Sequence, residues 1–216
     1  MSRLGPGAGG SRALLEAPTA GPGVAAPSTA AGLGDRHATV SSDVVVTAIR
    51  RLPAAPAMYA PMPEALDRRL VGALATRGIR ELYTHQAETM AHALAGRSTV
   101  VVTPTASGKT LCFNGPVLDA ILKDPSARAL YLYPTKALAQ DQLAELHGLV
   151  ELIDAQAEQE TSGEPASIGV FTYDGDTPQD ARRAIRTRAH IVLSNPDMLH
   201  AGILPHHPRW AKLFEN

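Results

Sequence analysis

The chain has 216 residues, 44% hydrophobic and 19% charged, and its 20 Lys and Arg against 21 Asp and Glu leave a net charge of −1. That balance excludes a histone-like, globally basic protein, but not a phosphate-binding groove, which needs only a local excess of positive charge. A single cysteine, Cys112, excludes an internal disulfide framework and a cysteine-rich zinc site, and fits a reducing cytoplasm. No apolar run approaches the ~20 residues of a membrane helix, and no signal-peptide pattern follows Arg3.

Residues 1–40 are dominated by Gly, Ala, Pro and Ser, as in Gly5-Pro6-Gly7-Ala8 and Ala20-Gly21-Pro22-Gly23. Such a segment buries too little apolar surface to offset the entropy of ordering it, which predicts a disordered tail. Residues 41–216 fit the size of one domain. Asp43–Thr47 reads as a short strand or an extended lead-in. Pro63-Glu64 opens a predicted helix with an apolar stripe at Leu66, Leu70, Val71 and Leu74, closed by Gly78. Thr84 caps a second, which runs through Gln86 and Met90 to Gly96. Ser98–Val102 is apolar and β-branched, which predicts a buried strand. A helix follows Gly108; it holds Cys112 as a small core residue, and Asn114-Gly115-Pro116 should kink or split it.

Strands at Ala129–Tyr133, Ile168–Thr172 and His190–Leu193 then alternate with helices from Lys136 to about Ile153 and from Pro178 to Arg188. Glu158–Glu164 reads as a polar linker. The alternation predicts an α/β fold, a parallel sheet with helices on both faces.

The strongest chemical signal is the turn between the predicted strand and helix at Thr103-Pro104-Thr105-Ala106-Ser107-Gly108-Lys109-Thr110. Small residues let the backbone wrap an anion, and the following helix N-terminus adds positive dipole. Lys109 would neutralise the β and γ phosphates of a nucleotide, and the Thr110 hydroxyl would ligate Mg²⁺. Thr105, Ala106, Ser107 and Gly108 would form the cradle. A Gly-Lys-Thr tripeptide alone is a weak signal. Its place after an apolar segment and before a helix strengthens it, while Thr103 stands where the strict pattern has Gly.

With Thr103–Thr110 read in this way, the sequence resembles the superfamily 2 DEAD/DEAH-box-type helicases, in which Thr or Ala often replaces the first Gly of motif I. Leu82-Tyr83-Thr84-His85-Gln86 resembles the Q-motif, Tyr133-Pro134-Thr135-Lys136 the start of motif Ia, Tyr173-Asp174-Gly175-Asp176-Thr177 motif Ib, and Ser194-Asn195-Pro196-Asp197 the next DNA-contacting motif. Their order, with Gly108–Asn114 and His206–Trp210, is similar to the mitomycin repair factor A branch, which includes a RecQ-like yeast helicase. The resemblance implies a P-loop, RecA-like ATP-binding domain that uses ATP and Mg²⁺ and acts on single-stranded or partly duplex DNA. Gln86 would read the adenine edge, its amide offering both donor and acceptor; Tyr83 would pack on the base or in the core. Pro134, Thr135, Lys136, Asp176, Thr177, Ser194, Asn195 and Pro196 would contact DNA backbone.

Charge placement fits that division. Ten acidic residues and no Lys or Arg lie between Ala137 and Ala181, whereas Arg182, Arg183, Arg186, Arg188, Arg209 and Lys212 face only Asp197 and Glu215 beyond it. The later segment is therefore expected to turn toward DNA. ATP hydrolysis also needs an acidic residue on Mg²⁺. The family supplies it in an Asp-Glu pair at a strand end, and no such pair occurs in this sequence. The resemblance thus implies part of the first motor domain, residues 41–216, ending before the acidic motif and inactive alone. Two alternatives remain at this level. One is a self-contained P-loop ATPase or kinase using Asp174 or Asp197, and the other a non-catalytic nucleic-acid-binding module.

Overall fold

The computed structural model describes residues 56–159 and 167–215; the 1–40 tail, the Asp43–Thr47 segment and most of the Glu158–Glu164 linker lie outside the described residues. The first described elements are the short strand β1 (Tyr59–Ala60), helix α1 (Arg68–Thr76), strand β2 (Leu82–Tyr83) and helix α2 (Thr84–Leu94). β1 and β2 pair antiparallel, Tyr59 opposite Tyr83. α1 starts later than Pro63-Glu64 would place it. Asp67 is the N-cap and accepts from the Arg69 amide at 2.9 Å, which satisfies a donor that has no partner within the helix. The Arg69 guanidinium, hydrogen-bonded to Asp67, holds that carboxyl below its usual range. Likewise Thr84 is the first residue of α2 rather than its cap, which is Tyr83.

Helix α3 (Lys109–Lys123) follows Gly108, which adopts a left-handed conformation, φ 76°. Pro116 removes one hydrogen-bond donor inside α3, yet the helix runs as one element; Leu118 and Ile121 bury into the core on its far side. Gly115 permits a close approach to α2, since a Cβ there would stand 2.2 Å from the Met90 tip. Cys112 is buried, as expected of a core residue, and burial pushes its thiol pKa up.

Strand β3 (Ala129–Leu132), helix α4 (Lys136–Gln159), strand β4 (Val170–Thr172), helix α5 (Gln179–Arg188) and strand β5 (Ile191–Ser194) form the α/β unit. The three strands are parallel in the order β3-β5-β4. α4 continues six residues past Ile153, into the segment read as linker. β5 is central and buried along its whole length. Ile191 and Leu193 join a core with Leu70, Leu118, Leu146 and Ile153, from α1, α3 and α4. Val192 points the other way, into a second core with Tyr173, Ile185, Ile203 and Trp210. Burial on both faces explains why β5 reads as a continuous apolar run. Leu193→Ala is expected to cost about 2–5 kcal/mol of stability, the range for a truncated core leucine, measurable by denaturant unfolding. Beyond β5 lie α6 (Pro196–Met198), a π turn (Leu199–Ile203), a 3-10 segment (Leu204–Trp210) and α7 (Ala211–Phe214).

The predicted strand at Ser98–Val102 also fails. Ser98–Val102 is neither a strand nor buried: Val100 is 90% and Val102 89% exposed. The run has strand-forming residues, but a strand also needs a neighbour to bond. β3 pairs with β5 on one edge, and among the described residues no strand pairs with its other edge. A slot of about 290 Å³ lined by Thr99, Cys112, Phe113, Val117 and Ala129 lies there instead. β-propensity measures fit to a sheet surface, and it cannot supply the partner.

Candidate nucleotide and nucleic-acid site

The 103–108 loop is shaped by two left-handed residues, Ala106 (φ 62°) and Gly108 (φ 76°). Side chains of α2 brace it. The Gln86 amide Nε2 donates to the Gly108 carbonyl at 2.9 Å, while its Oε1 accepts from the Tyr83 amide, also at 2.9 Å. His85 Nε2 lies 3.0 Å from the Ser107 carbonyl, and a carbonyl only accepts, so the ring proton sits on Nε2. Thr103 and Ser107 share a hydroxyl–hydroxyl bond of 2.7 Å. Each end of the buried Gln86 amide thus has one backbone partner, with one N–H and one oxygen lone pair still uncommitted.

Lys109 folds back over this loop. Its Nζ donates to the Thr103 carbonyl at 2.8 Å and the Pro104 carbonyl at 2.6 Å, with Ser107 Oγ at 3.5 Å. Three oxygens surround the ammonium, the arrangement that phosphate oxygens would offer it. Thr110 stands in the first turn of α3. Tyr83 is half-buried in a stack: its ring lies 5.2 Å from that of Tyr59 and 5.8 Å from that of His85. Tyr59 had no sequence signal. It precedes the loop by more than 40 residues and reaches the site only through β1–β2 pairing.

The second group of predicted residues gathers at the carboxyl edge of the parallel sheet, because β3, β4 and β5 all end there. The Tyr133 amide donates to the Ser194 carbonyl at 2.9 Å and the Tyr173 amide to the Leu193 carbonyl at 2.8 Å. These bonds draw the 133–136, 173–177 and 194–196 segments together. Pro134, Thr135 and Lys136 are exposed, as is Pro196. Asn195 caps α6, its Oδ1 accepting from the Met198 amide at 2.8 Å. Ser194 is buried and its hydroxyl donates to the Tyr173 carbonyl at 2.7 Å, so it ties two of the segments together.

Lys136 forms a short ion pair with the exposed carboxylate of Asp176, which holds the ammonium pKa above the usual lysine value. Asp174 turns inward. Its carboxylate accepts from the Asp176 amide at 2.9 Å and the Thr177 hydroxyl at 3.3 Å. Asp174 thus braces the turn that follows β4. Arg182, expected to face DNA, instead donates to carbonyls of the 174–177 loop.

A parallel α/β sheet and a Gly-Lys-Thr loop that opens a helix are features of a RecA-like fold. The DEAD/DEAH box helicase family matches residues 83–216, and the chain belongs to that family. It is 54% identical over 156 residues to the uncharacterized ATP-dependent helicase YprA of Bacillus subtilis, covering 72% of this chain and 19% of the relative. It is 38% identical over 181 residues to ATP-dependent helicase hrq1 of Schizosaccharomyces pombe, covering 83% and 16%. The solved structure of the DUF1998 helicase MrfA bound to DNA and AMPPNP is similar at a TM-score of 0.67 and 51% identity, covering 75% of this chain and 21% of that one. The chain therefore spans about a fifth of the length of these relatives. Among the described residues no helix is long and apolar enough to cross a membrane.

Proposed function

We propose that this chain is part of the first motor domain of an ATP-dependent DNA helicase, with residues 41–216 as the domain portion. The observation that carries the reading is the Lys109 ammonium held by three oxygens at the mouth of α3. An ATP triphosphate offers charged oxygens to the same three donors, and charge-assisted bonds are stronger than those to neutral carbonyls. The amide groups of the 105–108 loop and the N-terminus of a 15-residue helix favour the same anion. Gln86 would use its uncommitted N–H and lone pair on the adenine edge, with Tyr83 beside the base. Thr110 would hold Mg²⁺, which when bound neutralises charge between the phosphates.

At the sheet edge, Thr135, Lys136, Thr177 and Asn195 are proposed to contact the DNA backbone, with Pro134 and Pro196 shaping the track and Ser194 bracing it. Such contacts position the protein without reading sequence. Asp176 is proposed to occupy Lys136 until a phosphate displaces it. The slot beside β3 would take a further strand of a longer motor, which would also give Ser98–Val102 a neighbour. Asp174 bonds within its own turn, and this lends the self-contained enzyme no support.

A direct test pairs a fluorescent ATP analogue with a labelled single-stranded oligonucleotide. The chain should bind both; binding of DNA alone, unaffected by Lys109→Ala or nucleotide, would instead favour a non-catalytic binding module. Asp176→Asn should tighten oligonucleotide binding several-fold at low salt, and should steepen the salt dependence by roughly 0.7 per released Lys136–phosphate contact. Looser binding would return Asp176 to a direct contact role.

A further inference from the structure

The nucleic-acid track depends on where the 174–177 loop sits, and one side chain fixes it. Arg182, on the first turn of α5, donates through Nε to the Thr177 carbonyl at 2.9 Å. Its Nη2 reaches the Asp174 and Gly175 carbonyls, each at 3.3 Å. The guanidinium carbon lies 5.3 Å from the centroid of the Tyr173 ring. Tyr173 is itself immobilised: it is buried, and its ring meets Trp210 edge-on at 4.6 Å. Its amide bonds Leu193 and its carbonyl accepts from Ser194, both in the central strand. Arg182 is thus clamped between an aromatic ring built into the core and three carbonyls of one exposed turn. At the tip of that turn Asp176 reaches Lys136, on the neighbouring loop.

We propose that Arg182 is a positioning residue for the nucleic-acid track, one that holds the turn so that Thr177 faces the track and does not itself contact phosphate; this rests on the nucleic-acid reading above. The chemistry demands arginine. Only a planar, forked guanidinium serves several carbonyls in different directions while lying over a ring, and a lysine ammonium supplies the charge without the fork. At a plain phosphate contact, by contrast, lysine would serve nearly as well as arginine. Arg183, the exposed next residue, provides the comparison.

The test uses the 216-residue protein, a fluorescein-labelled single-stranded oligonucleotide and a series of salt concentrations. Arg182→Lys and Arg182→Ala should weaken binding alike, by about tenfold, the equivalent of one hydrogen bond to a charged group. Their salt slopes should equal the wild type's. If Arg183 meets phosphate, Arg183→Ala lowers its slope by roughly 0.7, the signature of one lost ionic contact on a single strand, and so calibrates the measurement. In the absence of DNA, the Asp174 and Asp176 amides of both Arg182 variants should exchange hydrogen faster, while those of Ile191–Leu193 stay protected. Wild-type binding by Arg182→Lys, a slope reduced in the Arg182 variants, or unchanged exchange at Asp174 and Asp176 would overturn the proposal. A wild-type chain that leaves the oligonucleotide unbound would overturn the nucleic-acid reading and this inference with it, whereas the other contrary results overturn this inference alone.

Discussion

Lys109→Ala should weaken triphosphate binding by about 10- to 100-fold, the equivalent of one hydrogen bond to a charged group at about 1.5–3 kcal/mol. The expectation follows from the donor count. The ammonium has three N–H donors, and in the structure they point at Thr103 O, Pro104 O and Ser107 Oγ. All three are neutral acceptors in a loop open to solvent, so removing the lysine leaves groups that water satisfies, and the fold should lose little. Nucleotide affinity should therefore fall with a nearly unchanged melting temperature. Titration of a fluorescent ATP analogue beside thermal denaturation checks both halves. A matching loss of affinity and of stability would instead mean that the lysine holds the loop together and that its effect on nucleotide is indirect.

Gly108→Ala should disturb the same site by a different route. At φ 76° an alanine pays backbone strain, of order 1 kcal/mol per residue in this region. Its Cβ would also stand 2.6 Å from Gln86 Nε2, the atom that donates to the Gly108 carbonyl. Gln86 cannot yield freely, because its other end is tied to the Tyr83 amide and the residue is buried. Gly96 separates the two causes: it has φ 69° with nothing within 4 Å of a Cβ. Gly96→Ala should therefore show the strain alone, and Gly108→Ala the strain plus a displaced Gln86. The measurable contrast is a larger drop in melting temperature for Gly108→Ala, together with at least about tenfold weaker nucleotide binding, as expected when a buried hydrogen-bonded amide is dislodged. Equal effects of the two substitutions would show that the Gln86 contact contributes nothing.

Local signals explain what could be read in advance. Gly108 before Lys109 marked the start of α3, because a tight turn into a helix favours a residue that tolerates a left-handed backbone. The run Ile191–Leu193 gave away a strand covered on both faces. The order of the motifs led to the DEAD/DEAH box family that the comparisons support. What escaped was non-local. Ser98–Val102 has strand composition, but pairing depends on a neighbour that its own residues do not encode. The start of α1 moved from Pro63 to Asp67 because Asp67 both caps the helix and accepts from the Arg69 side chain, a combination that outweighs proline's preference for a first turn. Pro116 left α3 whole because buried neighbours on either side hold the helix together. Lys136 and Asp176 are 40 residues apart, and Arg182 meets Tyr173, itself packed on Trp210, only once α5 folds back. Counting charge along the chain placed Arg182 toward DNA; geometry turned it onto the carbonyls of its own loop.

The most direct measurement is a crystal structure of this chain grown with a non-hydrolysable ATP analogue. The account predicts the triphosphate in the curve of Thr105–Gly108, with Lys109 Nζ drawn off the Thr103 and Pro104 carbonyls onto phosphate oxygens. An analogue bound elsewhere, with Lys109 still on those two carbonyls, would contradict it.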